Sequence, residues 1–543
     1  NIPDKMKKII VVLGILIGTL TSCSDFLKEE NLSNVTAESF YVTAEGFETL
    51  VNANYSQLRE IYGDQPWLFC AGTDLYAEGR NDEPTGLSQY SQLTPSSQGV
   101  EQLYNTCYKA IQTANMGLYY SDLTEQTSAT NKSIGEIKYL RANAYFLLVQ
   151  TYGGVSLVKD YISSPELSFT RNSAEEVYSF IISELEESLN LVSTGSFTGK
   201  VNKRAVQHLL AKVYLTRGYE SFADANDFSK AATYADDAIA GQSLNLTFED
   251  LWTPGNEMNE EVLFSVQFDP ASVSADPTNL GNRQSTFFSS YLGGSEVAGD
   301  APYRSYNLCP TDFAIGLYSQ NDARWNATFM VETFKRYYDY FDKEDHSGLE
   351  VTHYYAPQWA TDADKTAYEA LHPGVNYHLY GTYGAGVVSS DYETIPVKKF
   401  DDPKSPFGSN GNNGRVSTRD VVLSRLADTY LIAAEAYLHT NPGTGIDRLN
   451  VVRQRSGVTP ALIGEFDIDY ILDERGRELL GEYHRWFDLK RTGKLVERAS
   501  LYHYLINESN FNGANGELKI LRPIPQEAMD LNQNKDFVQN PAY

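Results

Sequence analysis

The chain has 543 residues and carries 71 Asp and Glu against 44 Lys and Arg, a formal net charge of −27. So acidic a chain, with no basic stripe, repels a phosphate backbone and argues against nucleic acid as a partner. Four cysteines in this length, with no CxxC, give no support to a disulfide framework, a zinc ribbon or a thioredoxin-like site.

The first predicted element is a targeting segment. Lys5, Lys7 and Lys8 precede an uncharged run from Ile9 to Leu20, the pattern of a secretory signal. The run falls short of the about 20 apolar residues of a comfortable membrane span. It ends in Leu20-Thr21-Ser22-Cys23, which looks like a bacterial lipobox. On this reading Met6 is the initiator, residues 1–22 are the signal peptide and Cys23 bears the lipid. The other reading has Cys23 as an ordinary cysteine just past a conventional cleavage site. Residues 23–34 then form a polar, acidic, lipidated tether. Beyond it, Cys70, Cys107 and Cys309 leave room for one disulfide.

Helical periodicity dominates to about residue 240. In GEIKYLRANAYFLLVQTYGG the apolar residues Ile137, Leu140, Ala144, Leu147 or Leu148, and Tyr152 follow helical spacing, and Gly153 and Gly154 supply a left-handed stop. Ser173-Ala174-Glu175-Glu176 is a capping box that opens a helix with the stripe Val177, Ile181, Leu185, Leu189. Two more helices are predicted around NKRAVQHLLAKVYLTRG and FSKAATYADDAI. Tyr430, Ala433, Ala434 and Tyr437, followed by Ile446, sit at tetratricopeptide first-helix and second-helix spacing, although Asn450 and Arg453 are polar where that pattern wants aromatic and small residues. A weaker copy has Leu210, Ala211, Tyr214, then Ala231, Ala235 and Ala238; generic helix pairs with Ala at their contacts fit it equally well.

From about 271 to 417 the texture changes. Gly, Pro, Asn and Asp punctuate the chain, 14 of the 38 Tyr fall here with Trp325 and Trp359, and SNGNNG (409–414) reads as a mobile loop. Short β signals flank it, VLFSVQF (262–268) and IPVKKF (395–400). A long loop-rich insertion in a helical framework is usually functional, and a surplus of tyrosine, whose ring tolerates one wet side, points to recognition.

Catalytic patterns are absent from the sequence: no GxSxG, no HExxH, no GxxxxGK[ST]. Gly381-Thr-Tyr-Gly384-Ala-Gly386 resembles a phosphate loop only superficially, without a strand–helix context. No carboxylate pair of the glycosidase kind can be located among 71 acidic residues. The acidic run DYFDKEDHSG (339–348) does not match the EF-hand spacing, which leaves calcium unsupported and a solvated loop as the expectation. No cofactor is expected. In DYILDERGRELLGEYHRWFDLKRTG one helix is predicted, with Leu472, Arg475, Leu479, Tyr483 and Trp486 on one side and Glu474–Arg477, Glu482–Arg485 and Asp488–Arg491 as i,i+3 pairs. Trp486 on that apolar stripe reads as core rather than as a ligand platform, and His484 as structural.

RGRELLGEYHRWFDLKRTG resembles the hallmark helix of the SusD/RagB family of Bacteroidetes outer-membrane lipoproteins. RLADTYLIAAEAYL with DRLNVVRQRSG, LRANAYFLLVQTYGGVSLV and the closing LRPIPQEAMDLN…VQNPAY are similar to other stretches of that family, in its order. The resemblance implies a mainly α fold: a tetratricopeptide-like helix-pair scaffold (35–270 and 418–500), a loop-rich second part with short strands (271–417) and a C-terminal segment (501–543). It also implies docking on a SusC-like TonB-dependent outer-membrane barrel and capture of a nutrient, often a glycan, at the cell surface. RagB-like members that favour peptides are the first alternative, and a surface glycoside hydrolase the second.

The family's ligand site has no fixed motif, so candidates come from chemistry. Sugar rings pack on exposed Trp and Tyr faces, with polar side chains nearby for the hydroxyls. Two stretches offer this: Trp67 and Tyr76 near Arg80, Asn81 and Asp82, and Tyr354, Tyr355 and Trp359 beside Gln358 and Asp362. Each ring has a second reading as a core anchor.

Overall fold

A computed structural model describes residues 37–78, 85–269, 281–288, 308–386, 394–404 and 416–543. The expectations for the signal peptide, Cys23, the tether, Arg80, Asn81, Asp82 and SNGNNG lie outside the described residues.

The fold is mainly α. Helices α1 (Ala44–Tyr62), α2 (Val100–Ser121), α3 (Ser128–Tyr152), α4 (Ala174–Leu191), α5 (Lys203–Arg217) and α6 (Asp227–Ile239) each pack on the next. The caps are those the sequence calls for. Thr127, Ser173 and Asn202 accept backbone N–H groups at the starts of α3, α4 and α5, and the Ser173–Glu176 capping box is formed. Gly153, at φ +74°, ends α3. This helix is apolar around most of its circumference and is buried almost throughout from Gly135 to Tyr152, as the central helix of the stack.

Later in the chain come α7 (Asp312–Gly316), α8 (Asp362–Leu371), α9 (Leu426–Leu438) and α10 (Pro442–Arg455). Helices α9 and α10 form a pair, and α9 packs on α6, so the C-terminal pair continues the N-terminal stack. Ala231, Ala235, Ala433 and Ala434 are fully buried, which lets these backbones approach closely. Successive helix pairs stacked side by side are the arrangement of a repeat scaffold.

The strands are short. β1 (Tyr76–Ala77) pairs with β3 (Cys309–Pro310), and β2 (Val262–Val266) with β7 (Val421–Arg425), both antiparallel. β4 (Glu332–Phe334), β5 (Val351–Tyr355) and β6 (Asn376–His378) form a third sheet, in which β5 and β6 run parallel. VLFSVQF is therefore the strand β2. IPVKKF is not a strand: Lys398–Phe400 is a 3-10 turn in which both lysines point inward, Lys399 Nζ reaching Glu482 at 2.6 Å.

The long C-terminal helix expected over 469–493 is also corrected. It is two helices, α11 (Ile468–Glu478) and α12 (Arg485–Arg491), separated at Gly481, whose φ is +79°. A side chain at 481 would collide with the Phe400 ring. Glu474 and Glu478 on α11, and Glu482 just past the break, point inward onto cations from other elements. Arg324 Nη1 meets Glu474 at 2.7 Å and Glu478 at 3.0 Å, while Arg425 meets Glu478 and Glu482, each at 2.7 Å. Of the three expected i,i+3 pairs, Glu474–Arg477 and Asp488–Arg491 form; Arg485 instead pairs with Asp74. These buried ion pairs tie the loop-rich part (Asp322, Arg324, Lys399) to the helical scaffold. Each carboxylate has at least two polar partners, the condition under which buried charge is tolerated.

Trp486 is in the core, as expected. Cys70, Cys107 and Cys309 are all buried and no disulfide joins them. In 339–348, Asp339 and Asp342 pair with Arg336 at 3.1 and 2.5 Å. Among the described residues, no helix is long and apolar enough to cross a membrane, and no group of His, Cys, Asp and Glu is arranged to hold a metal ion.

Candidate functional site

Three distant parts of the chain meet in one small strip. β1 lies against β3, and Ala385 continues the strip through a parallel bridge with Thr311, its N–H donating to the Pro310 carbonyl at 3.0 Å. Ala77, Cys309 and Ala385 pack together there. Thr311 caps α7, accepting the Ala314 N–H, and its hydroxyl donates to the Asp74 carbonyl at 2.6 Å. The strip thus fixes the start of α7 and the segment 379–386.

Glycines bring the side chains of this region directly onto backbone. The Tyr380 hydroxyl lies 2.6 Å from where a β-carbon of Gly316 would be. The Asp312 carboxylate rests on Gly384, and the Tyr504 ring on Gly386, whose φ is +81°. GTYGAG is therefore neither a phosphate loop nor a generic turn. It is a backing surface on which one carboxylate and one aromatic ring are laid, while Tyr380 just before it lies over Gly316.

Two of these rings are partly exposed, Tyr380 at 40% and Tyr504 at 50%. The Tyr504 hydroxyl donates to the Glu78 carbonyl at 3.0 Å. Phe313 and Tyr502, both half-buried, stack at 3.7 Å beneath the Arg498 guanidinium. Asp312 is half-buried. Burial alone raises its carboxyl pKa, with no hydrogen bond or counter-charge contributing. The Tyr380 phenol is raised by burial and by Asp312 beside it. At the other end of the face, Glu78 Oε2 and His503 Nε2 are buried without a hydrogen-bond partner among the described residues, and burial takes His503 down to about 4. A flat ring near an acceptor with no partner among the described residues suits a polyhydroxylated ring: C–H groups face the aromatic, and a hydroxyl donates to the carboxylate.

The sequence candidates surround this face without forming it. Trp67 is only 2% exposed, its ring against Gly99 and Leu87, so it has no face to give a ligand. Tyr76 is equally buried, edge-on to Phe288, with its hydroxyl accepting the Gly481 N–H. Both are supports of the strip, a correction to the expected first platform. In the second stretch, alternation along β5 separates Tyr354 from Tyr355. Tyr355 is fully buried against His378 and Tyr383, under the glycine segment. Tyr354 is half-buried and stacks on Tyr368 of α8 at 3.9 Å. Gln358 donates to the carbonyls of Gly316 and Tyr318 and so holds the end of α7 under Tyr380. Trp359 packs edge-on against the buried Trp325. Asp312, Tyr380 and Tyr504 were missed in the sequence; the one local signal was a run of glycines with tyrosines in between.

A groove of about 530 Å³ lies elsewhere, between α2, the strap 156–169 and the C-terminal segment. Its walls are Tyr104, Tyr108, Ile111, Leu167, Leu531 and Phe537, and its amides are engaged: Gln112 donates to the Ile162 carbonyl and Asn532 to the Phe169 carbonyl. That lining suits apolar surface rather than hydroxyls.

The sequence matches the SusD family over residues 260–543, and a second family described as starch-binding associating with outer membrane over residues 25–215. A SusD-like protein of Bacteroides ovatus is 26% identical over 89% of this chain and 82% of its own length. A SusD-like protein P2 of Formosa agariphila is 24% identical over 99% of this chain and all of its own. Among solved structures, a laminarin binding SusD-like protein superposes with a TM-score of 0.69 at 22% identity, covering 93% of this chain and 100% of that one. Surface glycan-binding protein A from Bacteroides thetaiotaomicron, in complex with laminarihexaose, gives 0.68 at 20% identity, covering 92% and 100%.

Proposed function

The chain belongs to the SusD family, and from that membership and the geometry of the strip we propose that it is a non-catalytic glycan-binding protein of the outer membrane. It holds an oligosaccharide on the face of Tyr380 and Tyr504, with Asp312 accepting a sugar hydroxyl. The observation that carries this reading is Tyr380, an exposed ring whose hydroxyl end lies against Gly316, near a half-buried carboxylate, Asp312, that has no hydrogen-bond or ion-pair partner among the described residues. Similarity to a laminarin binding protein and to a protein solved with laminarihexaose supports glycan as the ligand class. The description of the second matching family supports association with the outer membrane.

In this proposal Cys23 carries the lipid anchor, and the captured glycan passes to a SusC-like TonB-dependent barrel. Ring stacking with a few hydrogen bonds gives modest affinity, which suits a ligand that must be handed on. The test is a native affinity-gel panel of soluble polysaccharides, run with the purified protein and with Tyr380→Ala. Retardation by at least one glycan, weakened in the variant and without breakdown of the glycan, is the expected result. Turnover of the glycan would favour a hydrolase. Retardation by none would move the reading to peptides.

A further inference from the structure

We infer that the Asp312–Tyr380 face selects uncharged glycans and rejects those bearing uronate or sulfate groups. The inference rests on the glycan-binding reading above and specifies its substrate class. Its first ground is Asp312 itself. An ionised carboxylate only accepts hydrogen bonds, so it welcomes a hydroxyl and opposes an anion in the same place. Among the described residues its carboxylate, laid on Gly384, forms no salt bridge that would reverse that preference.

The second ground is where the neighbouring cations go. Arg498 lies over Phe313 and Tyr502 but is held by Asp74 at 2.9 Å, by Asp469 at 3.1 Å and by Asp473. Arg485 pairs with the same Asp74, its Nε donating at 2.7 Å. Arg477, close to the far end of α7, binds Glu474 at 2.8 Å and the Leu317 carbonyl at 3.2 Å. Each guanidinium is engaged by protein carboxylates, so none is available to receive the anionic group of a ligand, the usual role of arginine in recognising carboxylate or sulfate. At the other end of the face Glu78 adds a buried carboxylate oxygen with no hydrogen-bond partner among the described residues. A net charge of −27 makes the long-range field oppose the approach of a polyanion as well.

A neutral ligand meets none of these obstacles, and its binding is insensitive to salt. The test is a set of affinity gels with neutral polysaccharides (laminarin, xyloglucan, mannan) and anionic ones (alginate, pectin, carrageenan), each at low and high ionic strength, with Asp312→Asn alongside. The expected result is retardation by a neutral glycan that changes less than about twofold with salt, and none by the anionic set. Asp312→Asn keeps the shape and removes the charge; it is expected to weaken the neutral glycan about fivefold or more, because a charge-assisted hydrogen bond becomes an ordinary one. Retardation of the unaltered protein by an anionic polysaccharide, lost at high salt, would overturn the inference and leave the glycan-binding reading standing. Selective neutral binding that Asp312→Asn does not change would overturn the assignment to Asp312. Retardation by neither set would count against the glycan-binding reading itself.

Discussion

The carboxylate of Asp312 lies directly on the backbone of Gly384, in the space where a β-carbon at 384 would stand. That contact makes the glycine a positioning residue for the face. Gly384→Ala is expected to push the carboxylate away and lower glycan affinity by about fivefold or more, the loss of one charge-assisted hydrogen bond. Gly381 is the control. It has a φ of +80° and open space around it, so Gly381→Ala strains the backbone by about 1 kcal/mol and leaves affinity within twofold. Calorimetric titration and thermal melts of the two variants separate these effects; equal affinity losses would break the link between Gly384 and Asp312.

Tyr380 and Trp67 are expected to fail in opposite ways. Tyr380→Ala removes an exposed ring, so stability stays within about 0.5 kcal/mol, while stacking worth roughly 0.5–1.5 kcal/mol is lost from binding. Trp67→Ala opens a cavity under Gly99 and Leu87 and costs about 3–5 kcal/mol of stability. Urea unfolding and affinity gels on both variants check this. A Trp67 variant of unchanged stability would contradict its place in the core.

Much of the architecture was legible in the chain itself. Helices α3, α4, α5 and α6 follow from stripes and caps, because Ser173 with Glu176 and Gly153 act within a few residues of themselves. The break at Gly481 was not legible, since its cause is the Phe400 ring and the inward pull of Arg425 and Lys399 on Glu482. The same limit hid the site. Trp67 and Tyr355 carry the chemistry of a ligand platform, but only tertiary packing decides that they face inward. Asp312 and Tyr380 lie 68 positions apart and meet through glycines at 316 and 384.

The buried ion network sets the response to acid. Against the upward push of burial, Arg324, Arg477 and Arg453 hold Glu474 down to about 2, and Arg455, Arg425 and Arg324 hold Glu478 lower still. Burial also keeps His208 and His484 neutral, at about 4 and about 3, with Lys212 Nζ donating to His484 Nδ1 at 2.8 Å. All four groups titrate lower in the folded protein than in the unfolded chain. Their contribution is therefore complete above about pH 6.5 and is lost as the pH falls toward 2, the histidines first and the carboxylates below about 4.5. Urea unfolding at a series of pH values is expected to show this decline, with a shallower slope below pH 4.5 in Glu474→Gln, itself destabilised at neutral pH because Arg324 loses a partner. A stability flat from pH 7 to pH 3 would contradict the network.

The three buried thiols give a chemical check on the fold. Cys107 is pushed well above its ordinary pKa by burial, and Cys70 and Cys309 are equally enclosed. A thiol-reactive dye is expected to label none of the three rapidly in the native protein and all of them in denaturant, and a reductant is expected to leave the melting temperature unchanged. A melting temperature lowered by reductant would mean a disulfide that this fold does not contain.

The most direct measurement is a crystal structure of the protein with an oligosaccharide fragment of whichever polysaccharide retards it most. The expected density is a sugar ring flat on Tyr380 with a hydroxyl within hydrogen-bond distance of the Asp312 carboxylate. Density in the groove of Tyr108 and Leu531 with the Tyr380 face bare would contradict the assignment of the site.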